Sequence, residues 1–131
     1  MNLLVEPKAI ITESAIIEEL ARGARAGDFA RKYVDDVRTE LYQRHLAGAG
    51  GLEIVHDFSA AMDRLLKAIF CYADTEHAKQ FSRLHQRLTV VARGGYGRAE
   101  LNPYSDIDLL FLHNYKPGPY LEVVTETILH A

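Results

Sequence analysis

The pattern of hydrophobic residues changes abruptly at Leu88, and this change constrains the fold more than any other feature of the chain. Before it, hydrophobic residues recur at the three- and four-residue spacing of amphipathic helices. After it, two short apolar runs at 88–92 and 106–112 have the length and composition of buried strands. We therefore predict an α+β fold, in which a helical N-terminal segment (residues 1–86) leads into the beginning of a mixed-sheet domain (residues 87–131).

Glycines divide the helical segment into three predicted helices. The first begins around Thr12 and Ser14 and is expected to end at Gly27, with Asp28 as the N-cap of the second. The glycine run at 48–51 separates the second helix from the third. The expected ranges of the second and third helices are 28–46 and 52–72, and the apolar stripe of the third consists of Val55, Phe58, Met62, Leu65, Leu66 and Ile69. A polar stretch at 74–86 is also predicted to be helical, with Phe81 and Leu84 pointing inward.

The end of the sequence predicts one more helix, which begins near Tyr120 and is still running at Ala131. Two strands rarely form an independent sheet. A chain that has only two predicted strands and stops within an apolar helix is therefore expected to be the N-terminal part of a larger protein, with the domain at 87–131 truncated.

The overall composition is typical of a soluble globular protein. Of the 131 residues, 48% are hydrophobic and 25% are charged, and the formal net charge is -3. This charge gives no support for broad binding of nucleic acid or of an anionic membrane, which favours a basic surface. The chain has no apolar run of the roughly 18 residues that span a bilayer, no convincing signal peptide and a single cysteine. We therefore predict a cytoplasmic protein without nucleic-acid or membrane partners.

Two aspartates at the start of the second predicted strand are candidate metal ligands. Asp106 and Asp108 are separated by one residue, so on a strand their carboxylates share a face, while Ile107 and Leu109 point into the core. Two neighbouring carboxylates repel each other unless a cation lies between them, and carboxylate oxygens suit Mg²⁺. The alternative is that one aspartate caps the turn and the other is a solvated strand end.

A glycine-rich loop lies between the two predicted strands. Gly94 and Gly95 directly follow the first strand and precede a predicted helical turn, where glycine lets the backbone approach a phosphate closely. Gly97 adds a flexible position, and Arg98 offers a guanidinium for phosphate oxygens. A phosphate-binding loop beside a carboxylate pair is the arrangement needed for metal-assisted attack on the α-phosphate of a nucleotide.

The order of these residues resembles the signature of a known superfamily. A Gly-Gly pair followed eleven residues later by Asp-x-Asp is similar to the DNA polymerase beta-type nucleotidyltransferases. Within that superfamily, the string at 94–110 closely resembles the bacterial protein-PII uridylyltransferase/uridylyl-removing enzyme family; it reads GGYGRAELNPYSDIDLL. The resemblance covers residues 90–113.

The resemblance implies a reaction and a set of site residues. It implies a nucleotidyltransferase that transfers UMP from UTP to a tyrosine of the nitrogen-signalling protein PII, in response to nitrogen limitation, and removes it at high glutamine. Asp106 and Asp108 would be the catalytic residues that hold Mg²⁺, and Gly94 and Gly95 would contact the triphosphate. Arg98 and Ser105 fall within the matched string and are further candidate nucleotide contacts; the six site positions are Gly94, Gly95, Arg98, Ser105, Asp106 and Asp108.

The sequence departs from the family pattern in three ways. Arg93 occupies a position where a small or apolar residue is expected, and Ala99 one where glycine is expected. The superfamily also uses a third carboxylate on a later strand, whereas the acidic residues after Asp108 are Glu122 and Glu126, in a predicted helix. We therefore expect this chain alone to be a poor catalyst.

Two alternatives remain open at the level of the sequence. The first keeps the chemistry and changes the substrate, for example to adenylyl transfer onto another protein, because the motif does not read the base. The second is a non-catalytic helical interaction module that retains a vestigial nucleotide site.

Overall fold

The computed structural model describes residues 11–79, 87–114, 116 and 118–131. Within these residues it is an α+β protein, as predicted, with helices packed against one face of a small antiparallel sheet. The elements in chain order are α1 (Glu13–Ala21), α2 (Ala26–Leu46), α3 (Gly51–Ala78), β1 (Leu88–Ala92), α4 (Gly94–Gly97), β2 (Leu109–His113) and α5 (Pro119–Leu129). The predicted domain boundary at 86/87 lies beside residues outside the described part and stays a prediction.

The first helix starts as predicted, but the turn after it lies earlier than expected. Thr12 is the N-cap of α1, and its hydroxyl accepts a hydrogen bond from the Ala15 amide at 3.2 Å. The chain turns at Gly23, whose φ of 100° is a left-handed conformation that suits glycine after a helix. Gly27 is therefore not the end of α1, and Asp28 is not an N-cap, because both lie inside the first turn of α2.

Gly27 has a packing role in place of the predicted turn. A Cβ at this position would come 2.8 Å from the carbonyl oxygen of His130, just after the last helix. The glycine thus allows the start of α2 to approach the end of α5 closely. This contact joins residues that are far apart in sequence, so local turn chemistry did not reveal it.

The third helix forms the centre of the hydrophobic core. It runs from Gly51 to Ala78, beyond the predicted end at 72, and contacts α1, α2 and α5. The predicted apolar stripe is confirmed where it faces these helices; its buried members are Phe58, Met62, Leu65 and Ile69. The predicted inward-facing residues Phe81 and Leu84 lie outside the described residues.

The first strand occupies its predicted range, whereas the second begins three residues late. In the antiparallel register Ala92 lies opposite Leu109, and Leu88 lies opposite His113. The ladder continues by one further bond, from the Arg93 amide to the Asp108 carbonyl at 2.9 Å. Beyond this bond the β1 chain turns into α4, so Asp106 has no strand beside it and the predicted strand start at this residue is wrong.

Among the described residues, only one face of the sheet is covered. The side chains on this face pack against the core formed by the helices; they are Leu88, Val90, Ala92, Leu109 and Phe111. On the opposite face Leu110 and Leu112 are 39% and 51% exposed, so β2 is not the fully buried strand that its apolar sequence predicts. Ile107, which we expected to point into the core, is 37% exposed.

The last helix, α5, begins at Pro119, close to the predicted Tyr120, and ends at Leu129 instead of continuing to Ala131. Proline suits the first turn of a helix because its missing N–H has no intrahelical partner there. Val124 and Ile128 are buried on the side that faces α3. None of the helices in the described part of the chain is both long enough and apolar enough to cross a membrane.

Candidate active site

The glycine loop and the second aspartate of the predicted pair lie against each other. Gly94 begins α4 with a φ of 58°, in the left-handed region that favours glycine. A Cβ placed on Gly94 would come 3.0 Å from the Oδ2 atom of Asp108. Any larger residue here would therefore be strained in its backbone and would press on the carboxylate.

The next two glycines pack the loop against its own surroundings. A Cβ at Gly97 would lie 2.8 Å from the Ala92 carbonyl oxygen, and one at Gly95 would lie 3.2 Å from the Glu100 carbonyl oxygen. The Glu100 amide also donates to the Gly95 carbonyl at 2.8 Å. Close packing alone thus explains why a side chain is not tolerated at Gly97, whereas Gly94 is the glycine that approaches a candidate metal ligand.

Both aspartates are exposed to solvent, just before β2. The backbone carbonyl of Asp108 accepts a hydrogen bond from the Arg93 amide at the end of the ladder. Because side chains alternate along a strand, Asp108 lies on the same side as Leu110 and Leu112, on the open face of the sheet. Two exposed carboxylates suit Mg²⁺, which binds one or two protein carboxylates and completes its coordination with water and phosphate. No cluster of three or more metal-ligating side chains occurs among the residues that the structure describes.

The other two candidate nucleotide contacts lie at opposite ends of the connection between α4 and β2. The Arg98 guanidinium is 67% exposed; its Nε lies 3.6 Å from a Glu100 carboxylate oxygen, and its Nη2 lies 3.9 Å from the Cβ position of Gly95. Ser105 is exposed and closes a turn, in which its amide donates to the Asn102 carbonyl at 3.0 Å. The structure thus brings Arg98 to the glycine loop and places Ser105 next to the aspartates.

Three side chains of the helical segment hold α4 and this connection, and none of the three was predicted from the sequence. On α3, the Asp63 carboxylate accepts from the Tyr96 hydroxyl at 2.6 Å, and the Ser59 hydroxyl accepts from the Leu101 amide at 2.9 Å. On α2, Arg38 Nε donates to the Pro103 carbonyl at 2.6 Å. A serine within the apolar stripe of α3 was the one available signal, because a polar residue at a buried position needs a partner.

The Tyr96 phenol is strongly held in its protonated form. Its side chain is buried, and this burial raises the pKa above the ordinary value for tyrosine, as does the hydrogen bond to Asp63. Tyr96 therefore acts as a neutral donor that fixes α4 to α3.

The comparisons with known proteins agree with the resemblance found in the motif. A family model described as glutamate-ammonia ligase adenylyltransferase matches residues 6–125, which is most of the chain. A bifunctional uridylyltransferase/uridylyl-removing enzyme of Rhodospirillum rubrum is 34% identical over 139 residues, covering 96% of this chain and 15% of the relative. No solved structure matches the chain.

Two further relatives carry the same description. The protein of Caulobacter vibrioides is 35% identical over 118 residues, which cover 89% of this chain and 13% of the relative. The protein of Azospirillum brasilense is 61% identical over 104 residues, which cover 76% of this chain and 11% of the relative. The chain thus spans about 15% or less of the length of these relatives, and the predicted likeness to this group of enzymes is confirmed.

Proposed function

Since this chain belongs to the nucleotidyltransferase family that the matching model represents, we propose that it carries part of the active site of a Mg²⁺-dependent uridylyltransferase. The donor would be UTP, and the acceptor would be a tyrosine of a PII-type signalling protein. The observation that carries the proposal is the position of Gly94 against the Asp108 carboxylate, where a Cβ would come within 3.0 Å of Oδ2. A phosphate beside this glycine would also be beside the candidate metal ligand.

Five of the six site residues have roles that their surroundings support. Asp106 and Asp108, both exposed, would hold Mg²⁺, which when bound would stabilise charge on the transferred phosphoryl group. Gly94 and Gly95 would let the backbone approach the triphosphate. Arg98, whose guanidinium is mostly exposed, would pair with phosphate oxygens and would be withdrawn from Glu100 to do so.

The choice of uridylyl transfer is supported by the three relatives described above, all of them bifunctional uridylyltransferase/uridylyl-removing enzymes. A PII-type acceptor follows from the resemblance of the string at 94–110 to the enzymes that modify that protein.

Adenylyl transfer to a different protein is the second candidate. It is favoured by the description of the family model, which names an adenylyltransferase. The two candidates share the site residues and differ in the base of the donor nucleotide. They are therefore separated by the nucleotide that the protein uses and by the acceptor that becomes labelled.

Aspartate-to-asparagine substitutions test the proposal. Asp106→Asn and Asp108→Asn, made in the complete natural protein that contains this chain, should each lower transfer from α-labelled UTP to a PII-type protein by about 100-fold or more, since a metal contributes several kcal/mol to the transition state. The melting temperature of both variants should be unchanged, because both side chains are exposed. Asp28→Asn, at an exposed position on α2, is the matched control and should retain full activity.

Each other outcome has a defined meaning. Full activity of either variant would overturn the metal assignment. Transfer from ATP but not from UTP would favour adenylyl transfer. A complete protein that transfers neither nucleotide and binds neither would support a non-catalytic helical module.

A further inference from the structure

We propose that Arg38, Ser59 and Asp63 are positioning residues, which set the place of the Asp106–Asp108 stretch relative to Gly94. This inference rests on the proposed function, because it concerns the placement of the proposed metal ligands. None of the three side chains belongs to the glycine loop or to the aspartate motif. All three lie on helices of the N-terminal segment. Arg38 and Ser59 contact the connection that joins the two parts of the site, and Asp63 contacts Tyr96 in α4, directly before it.

The connection needs such contacts because it has little regular structure of its own. Between the end of α4 at Gly97 and the start of β2 at Leu109, the chain forms turns and no helix or strand. Most of its side chains are exposed; Leu101 is the buried exception. A segment of this kind keeps one conformation only where other parts of the molecule satisfy its backbone groups.

The middle of the connection is fixed on α3 by Ser59. Its hydroxyl accepts from the Leu101 amide at 2.9 Å and donates to the Val55 carbonyl at 2.8 Å. Ser59 and Leu101 are each 2% exposed, so water does not replace this bond when it is lost. Asp63, one helical turn further along α3, accepts a hydrogen bond from the Tyr96 hydroxyl in α4, directly before the connection.

The end of the connection is fixed on α2 by Arg38, which is the anchor nearest to the aspartates in sequence. Its Nε donates to the Pro103 carbonyl at 2.6 Å, and its guanidinium carbon lies 4.9 Å from the centre of the Tyr104 ring. Pro103 and Tyr104 lie two to three residues before Asp106. Arg38 thus holds the backbone from which the first aspartate extends.

The Arg38 contact has the character of a positioning interaction because it lies outside the hydrophobic core. Tyr104 is 80% exposed, and neither Tyr104 nor Arg38 belongs to the core cluster, so loss of the contact leaves the hydrophobic core intact. Catalysis is far more sensitive than folding to this loss, since a misplacement of about 1 Å can lower a rate about 100-fold. The expected signature is therefore a loss of kcat with a nearly unchanged melting temperature.

Variants of Arg38 in the complete natural protein provide the first test. Arg38→Met should lower kcat for nucleotidyl transfer by about 10- to 100-fold while KM for the nucleotide changes less than about threefold. Arg38→Lys keeps a donor and a cation and should restore part of the rate. Arg31→Met, at an exposed position on the same helix, is the matched control and should behave as the unaltered protein.

Binding of Mn²⁺, used as a paramagnetic substitute for Mg²⁺, provides a readout that does not depend on activity. The EPR signal of free Mn²⁺ measures how much of the ion the protein binds. Asp108→Asn should abolish this binding, and Arg38→Met and Ser59→Ala should each weaken the Mn²⁺ affinity by about tenfold. Arg31→Met should leave the affinity unchanged. Ser14→Ala, at an exposed serine of α1, is the control for Ser59→Ala.

These measurements separate the two proposals. If the unaltered protein transfers no nucleotide but binds Mn²⁺, and Arg38→Met weakens this binding, the proposed function would be overturned and the positioning role would stand. Unchanged kcat and unchanged Mn²⁺ binding in Arg38→Met would overturn the positioning role alone. If kcat and Mn²⁺ binding fall only together with the melting temperature, and Arg38→Lys restores neither, the contact would have a structural role and no positioning role. Absence of Mn²⁺ binding in the unaltered protein would overturn both.

Discussion

The helical segment (residues 11–79) and the strand-and-loop region (residues 87–114) bury their side chains to very different extents. The helices contribute most of the buried hydrophobic residues, whereas Tyr96 and Leu101 are the buried residues described in the strand-and-loop region. These two residues are also the ones that bond to α3. The candidate site residues, by contrast, are exposed or half-buried.

The buried residues of the helical segment stabilise the molecule, whereas the exposed residues of the strand-and-loop region would perform its chemistry. The proposed metal ligands lie on a connection with few buried contacts of its own, and the conformation of that connection depends on the helices beneath it. A rigid scaffold that presents an exposed loop is a common arrangement for binding and catalytic residues. The comparison therefore predicts that stability and activity respond to different substitutions.

The largest expected effect on stability is in the helical core. Leu65→Ala should lower the free energy of unfolding by about 2–5 kcal/mol, because it leaves a cavity around a side chain that is 4% exposed. Leu52→Ala makes the same chemical change in the same helix at a side chain that is 62% exposed, and should change it by about 0.5 kcal/mol or less. Urea denaturation measures both. Equal losses in the two variants would contradict the assignment of the core to this face of α3.

The second effect concerns the link between the two regions. Tyr96→Phe removes the hydrogen bond to Asp63 and should cost about 0.5–1.5 kcal/mol at neutral pH. In the unfolded chain a tyrosine ionises near pH 10, whereas burial and Asp63 raise the pKa of Tyr96 in the folded protein. The folded state then holds a proton that the unfolded state loses, so the stabilising contribution is complete below about pH 10 and declines above it.

The unaltered protein should therefore lose its advantage over Tyr96→Phe as the pH rises from about 9 to about 11. Tyr42→Phe, at a ring that is 58% exposed, is the control and should show no such dependence. A difference between the unaltered protein and Tyr96→Phe that stays constant over this range would mean that Tyr96 is not held in its protonated form.

The comparison also explains which parts of the fold could be predicted from the sequence. Helical periodicity and N-cap residues are local signals; the stripe of α3 was predicted from the first and the start of α1 from the second. The packing of Gly27 on His130 and the exposure of Ile107 depend on residues far away in the chain, so the local pattern indicated the wrong roles. The second strand begins late for a similar reason, because its partner chain has already turned away.

The residues of the candidate site also differ in whether a local sequence pattern indicates them. The glycines and aspartates lie close together in sequence and form a motif, so they could be named, and their roles stay predictions. The anchors could not be named, because their bonds to the connection span large sequence separations: 65 residues for Arg38 and Pro103, and 42 for Ser59 and Leu101. Such pairs carry no local pattern; Ser59, a polar residue on an apolar stripe, offered the one signal and was not predicted.

The smallest expected effect is an increase in stability within the loop itself. Ala99 has a φ of 58°, a left-handed conformation that costs a residue with a Cβ about 1–2 kcal/mol, and this is the position at which the motif led us to expect glycine. Ala99→Gly should therefore raise the free energy of unfolding by about 0.5–1 kcal/mol, after the greater flexibility of glycine in the unfolded chain is subtracted. Ala60→Gly, on an exposed position inside α3, should have the opposite sign and lower it by about 1 kcal/mol. If Ala99→Gly destabilises the protein as Ala60→Gly does, Ala99 does not hold the left-handed conformation.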